Sequence, residues 1–148
     1  IDKEKVDFSV KKAIENCINI QLAELKKYNI TLNISGKDFI VYGFENEFLQ
    51  VIINLISNAK DAIVEIGQED AQINILLIDH KIIITDNGGG ISDDVILRIF
   101  EPYYTTKEQG KGTGVGLYMS KMIIEDNMDG RISSANIDAG ASFTIDLE

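Results

Sequence analysis

"INILLIDHKIIITDNGGGI", Ile73 to Ile91, reads as two apolar runs parted by two residues and closed by a glycine cluster. "INILLI" and "KIIITD" flank Asp79-His80, and a two-residue gap between β-rich runs predicts a hairpin. The second run ends in Asp86, with the glycine turn directly behind it. A carboxylate in that place is either a turn-forming residue or a buried acceptor for a ligand amine. A charge-assisted hydrogen bond of the second kind contributes roughly 1.5–3 kcal/mol. The glycines after it would let a flat ring lie against the backbone.

Upstream of the hairpin, Val10, Ala13, Ile14, Cys17, Ile18, Leu22 and Leu25 follow helical spacing, with Ser9 as N-cap and Lys26-Lys27 in the last turn. Ile30, Leu32 and Ile34 alternate as a half-buried strand does. "SGKD" turns the chain and "FIVY" forms a second short strand. Glu45 to Ile66 is a long apolar-rich helix ended by Gly67. Downstream, a helix is expected from about Leu117 to Asp126, and "RISSAN" and "SFTIDL" form a second hairpin pair. The order predicts an α+β fold: a two-layer α/β sandwich, with helices on one face of a mixed, mostly antiparallel sheet. The 148 residues fit one domain, 1–148, with the opening "IDKEKVD" read as linker and residues 1–6 as a linker remnant.

Apolar residues make up 45% of the chain and charged residues 26%, a globular balance. No apolar run reaches the ~18 residues that span a bilayer, and no signal peptide opens the sequence. The lone cysteine, Cys17, excludes an internal disulfide and suits a reducing compartment. One His and one Cys argue against zinc. A net charge of −10 would repel nucleic acid, so an anionic small ligand would need a metal ion or backbone amides to offset the field.

Three further stretches carry chemistry. In "GKGTGVGL", glycine falls at 110, 112, 114 and 116 immediately before a predicted helix. The run is either a flexible linker, a strand without side chains, or a loop laying amides against an anion at a helix start. It is neither a P-loop nor GxGxxG. In "NLISNAKDA", Asn54 and Asn58 are four apart and share one helix face with Val51, Leu55 and Ala62. Their amides are either satisfied by backbone or direct carbonyl oxygens at Mg²⁺. In "IFEPYYTTK", Phe100, Tyr103 and Tyr104 could simply anchor a loop to the core, and Lys107 reads as an ordinary surface lysine.

Together, "NLISNAKDA", "DNGGGI", "FEPYYTTK" and "GTGVGL" resemble, in order, the N, G1, F and G2 boxes of the ATP-binding catalytic domain of bacterial sensor histidine kinases. That domain belongs to the wider group of gyrase, Hsp90 and MutL ATPases with the Bergerat-type fold. The resemblance runs from about Asp7 to the end. It implies that Asn58 ligates Mg²⁺, that Asn54 supports metal and phosphates, and that these two are the catalytic positions. It implies that Asp86 accepts from the adenine 6-amino group and that Gly88 and Gly90 shape the adenine pocket. Residues 92–111 would form an ATP lid packed down by Phe100, with Lys107 on a phosphate. Gly112, Gly114 and Gly116 would offer amides to the phosphates, and Leu117 would start the next helix. Asp61, Ile91 and Thr113 complete the implied nucleotide-binding set. The chain departs from the common pattern at Asp61-Ala62, where many members carry Lys-Tyr, and at Asp138 and Ala141, where Gly and Thr are frequent. Whether Lys60 supplies the cation missing at 61 is open.

Hydrolysing relatives usually place a Glu base where this chain has Asn54, and an amide takes no proton from water at neutral pH. The resemblance therefore implies transfer of the γ-phosphoryl group of ATP to a histidine. The only histidine here, His80, reads as a solvated turn residue. The acceptor is expected on an upstream dimerisation domain of the parent protein, with a response regulator as indirect partner. Neither nucleic acid nor direct membrane contact is expected, and the implied location is cytoplasmic, in a parent that can be membrane-anchored. Two alternatives stand beside this: an anti-sigma-type serine kinase using the same pocket on a protein partner, and a degenerate module that no longer holds nucleotide.

Overall fold

The computed structural model describes residues 4–104 and 116–148. Among these the elements run β1 (Val6–Ser9), α1 (Val10–Lys27), β2 (Thr31–Gly36), β3 (Ile40–Gly43), α2 (Glu45–Ile66), β4 (Gln72–Ile78), β5 (Lys81–Asp86), α3 (Asp93–Ile96) and α4 (Gly116–Met122). A π-helical turn (Ile123–Asn127), β6 (Arg131–Ile137) and β7 (Gly140–Asp146) complete the chain. The main sheet has strand order β2-β4-β5-β7-β6, parallel only between β2 and β4. The mixed, mostly antiparallel sheet expected from the sequence is what the chain forms.

The β4–β5 hairpin closes through Asp79 and His80, with φ of 50° and 61°. Two consecutive positive φ values are the mark of a type I′ turn, whose twist matches the flanking strands. Ile73, Ile75 and Leu77 on β4 and Ile82 and Ile84 on β5 are buried, and their intervening neighbours are more exposed. The same two-residue period carries Asp86 onto the buried face, opposite Ile73.

Helices cover that face. Ser9 caps α1, its Oγ accepting from the Lys12 amide at 3.1 Å and donating to Asp38 at 2.6 Å. Helix α2 packs between α1 and α4 and ends at Gly67, whose φ of 67° is the left-handed C-cap that glycine adopts without strain. Phe48, Ile52, Leu55, Ile56 and Ile63 of α2 are fully buried. Each contributes roughly 1.5–3 kcal/mol relative to exposure.

Two expectations need correction. Val6 and Asp7, read as linker, lie in β1, which pairs antiparallel with β3 in a separate two-stranded ribbon. Phe8 is buried there, its ring 5.4 Å from that of Phe48. The helix expected over 117–126 is α-helical only to Met122, after which the backbone widens into the π turn.

Candidate functional site

The site is built on α2. Asn54 and Asn58 stand one turn apart on it, both partly buried. Asp86 is 8% exposed, and its Oδ1 accepts from the Gly88 amide at 2.8 Å. Burial pushes its carboxyl above the ordinary aspartate value, and amide hydrogen bonds from Gly88 and Ala141 pull it partly back. An ionised carboxylate has about four acceptor positions, so two amides leave capacity for a ligand donor.

The glycine turn lies directly on α2. A Cβ at Gly88 would stand 2.9 Å from the Ala62 Cβ and 3.0 Å from the Ile63 nitrogen. Asn87 ties the turn to the α2–β4 connection, accepting from the Gln72 amide and donating to the Asp70 carbonyl. On the other side Asn136 of β6 grips the Ile91 backbone, accepting from its amide at 2.7 Å and donating to its carbonyl. The Gly89 amide donates to the Ala139 carbonyl at 3.1 Å, and a Cβ at Gly140 would run into the Asp86 carbonyl oxygen. The β6–β7 hairpin thus holds the turn as a template.

At the other end of the pair, a Cβ at Gly116 would collide with the Asn54 carboxamide, whose Nδ2 donates to Ser120 Oγ at 3.3 Å. Leu117 follows and packs on the core. Ile91 and Phe100 are half-buried against the core, Phe100 edge-on to Phe143 at 6.3 Å between centroids. Tyr103 is 78% exposed, and Tyr104 lies with its ring 4.4 Å from the Arg98 guanidinium. Lys60 faces α1, 3.3 Å from Glu24 and 3.2 Å from Asp61, which places its charge between the two helices. Lys107, Gly112, Thr113 and Gly114 lie outside the described residues, as does the lid segment beyond Tyr104.

Of the residues grouped from the sequence, Gly88 lies against Ala62 of α2, Gly116 against Asn54, and Gly90 against Asn136 and Gly140. Sequence reading missed Asn136, Gly140 and Ser120, whose parts are set by partners far away in the chain. Among the described residues no cluster of three or more His, Cys, Asp or Glu could hold a metal ion. The amide oxygens of Asn54 and Asn58 are the hard donors that suit a cation completing its shell with ligand oxygens and water. Among the described residues no helix is long and apolar enough to cross a membrane.

A mixed sheet of this order with helices on one face is a two-layer α/β sandwich, and comparison with known proteins places it in a family. The family described as "Histidine kinase-, DNA gyrase B-, and HSP90-like ATPase" matches residues 43–148. The two-component sensor PprA of Pseudomonas aeruginosa is 33% identical over 97% of this chain, which spans 16% of that sensor. The nucleotide-free catalytic domain of histidine kinase ThkA superposes with a TM-score of 0.82 at 29% identity, covering 96% of this chain and 93% of that one. A complex of ThkA with the response regulator TrrA matches with a TM-score of 0.73 at 25% identity, over 95% of this chain and 40% of that one. The chain belongs to this family, and within it to the catalytic domains of sensor histidine kinases.

Proposed function

We propose that the pocket binds Mg-ATP and positions its γ-phosphoryl group for transfer to a histidine on a separate phosphoacceptor domain. The supporting observation is the layout along α2. Gly88 and the buried Asp86 sit at Ala62, Gly116 sits at Asn54, and Asn58 lies between them. The ends are eight residues apart, about 12 Å of helix. That is room for a base at one end and a phosphate chain at the other.

Asp86 accepts from the exocyclic amine of adenine, and the turn pinned by Asn136 lies along the ring. Asn58 and Asn54 direct oxygens toward the metal. The metal, when bound, neutralises charge on the phosphate oxygens. The Gly116 amide begins α4, where the helix start favours anions. Phosphoryl transfer depends mainly on alignment and charge compensation, which these groups provide. Asn54 is an amide and cannot take a proton from water, which favours transfer over hydrolysis.

The segment 92–111 acts as lid, fastened at Phe100, and 1–148 act as one catalytic domain on the cytoplasmic side. The acceptor comes from outside residues 1–148. His80 lies at the far end of β5 from Asp86, about 20 Å away along a strand rising ~3.3 Å per residue. The proposed partners are a phosphoacceptor domain and, through it, a response regulator; the similar kinase ThkA forms a complex with the response regulator TrrA, which supports the second. Calorimetric titration with ATP and Mg²⁺ tests the reading. Asn58→Ala should bind nucleotide with little response to magnesium; a variant that responds as the parent does removes Asn58 from the metal.

A further inference from the structure

Among the described residues two polar side chains are buried, Asp86 and Ser120. Asp86 has a part in the proposed function and Ser120 has none. Ser120 is 2% exposed and lies one turn beyond Gly116 on α4. A serine inside a helix commonly hydrogen-bonds the carbonyl four residues earlier. Here its Oγ accepts from a side chain on another helix, the Nδ2 of Asn54 at 3.3 Å. Gly116 lies against the same carboxamide: the atoms closest to the position of an added Cβ are Asn54 Oδ1, Cγ and Nδ2. Helix α4 therefore cups one amide, the glycine making room and the serine holding its nitrogen.

A carboxamide has two ends of nearly equal shape and opposite polarity, and its hydrogen-bond partners decide which end points where. An amide oxygen attracts a cation and an NH2 group repels it. We propose that Ser120 is a positioning residue for Asn54: its Oγ engages the amide nitrogen, which leaves the carboxamide oxygen for the metal. The inference rests on the proposed function. Helix α4 thereby restrains a side chain on α2.

Calorimetry on this chain tests the proposal. Partners that orient a metal's ligands typically carry 10–100-fold in metal affinity, so Ser120→Ala should raise the half-saturating Mg²⁺ concentration for ATP by about tenfold or more. Mg-free ADP affinity should stay within about twofold, because Asp86 lies at the other end of the pocket, ~12 Å along α2. In an Asn54→Ala background the same Ser120→Ala step should change the Mg²⁺ response no further, since the amide it orients is gone. A serine that merely packs α4 would have equal effects in both backgrounds, and that result overturns the proposal. If Ser120→Ala does not fold, Ser120→Cys takes its place, a side chain of similar shape whose thiol is only a weak acceptor. A parent chain that binds no adenine nucleotide overturns the proposed function and this inference together. A parent chain that binds, with a Ser120→Ala variant identical to it, overturns the role of Ser120 alone.

Discussion

Asp86 illustrates how a single residue can trade stability against binding. It lies on the buried face with Ile82 and Ile84, and its charge is held there by two backbone amides. Replacing it with Asn removes the charge-assisted acceptor, and ATP affinity should fall about 10- to 100-fold, equivalent to ~1.4–2.8 kcal/mol, read by calorimetry. Unchanged affinity would take Asp86 out of the pocket. The same burial has a pH signature. The folded chain holds the Asp86 proton more tightly than the unfolded chain, so this group's contribution to stability declines as pH rises from 3.8 through the raised value. Urea midpoints followed across acid pH should show that slope in the parent and lose it in Asp86→Asn; equal slopes contradict the burial argument. ATP affinity should run the opposite way, falling as Asp86 is protonated. The placement of Asp86 on the buried strand face and of Asn54 and Asn58 one turn apart on α2 was legible from periodicity, whereas their roles rested on the motif resemblance. Asn136 was not legible, since an asparagine in a predicted strand gives no sign that it grips Ile91 forty-five residues earlier.

The elements divide in the same way. The length of α2 was legible to the residue, because an amphipathic run ended by glycine has one reading. β1 was not: its four residues follow a charged stretch, and its partner β3 lies beyond the whole of α1 and β2. The π turn after α4 was hidden because one residue added to a turn leaves the apolar run unbroken. The parallel pairing of β2 with β4 was likewise invisible, since alternation marks a strand and not its neighbour. The β6–β7 hairpin is the element whose packing bears most on the pocket. Gly140 brings its backbone against that of Asp86, where no side chain fits. Gly140→Ala should destabilise the fold by ~1–3 kcal/mol, the usual range for overpacking, and should weaken ATP binding as the turn is pushed off α2. Denaturant unfolding with the nucleotide titration checks this; full stability with full affinity would mean that the hairpin does not template the turn.

For the whole molecule, a net charge of −10 is at odds with the anionic ligand of the proposed function, and the proposed site would resolve the conflict locally. Its offsets are a helix start, backbone amides and donor oxygens for a cation, while the cationic side chain that α2 carries, Lys60, is engaged with Glu24 and Asp61. The fold class was legible because the order of helices and strands admits few sandwiches. The chain spans 16% of the PprA sensor, and its one histidine sits at a hairpin tip far from the glycine turn. As half of a reaction, the domain would supply an aligned phosphoryl donor and leave the nucleophile to another domain. The most direct measurement is a crystal structure of this chain with a non-hydrolysable ATP analogue and Mg²⁺. The account predicts the adenine amine on the Asp86 carboxylate and a cation touched by Asn58. Nucleotide lodged elsewhere, with Asp86 contacting only Gly88 and Ala141, would contradict it.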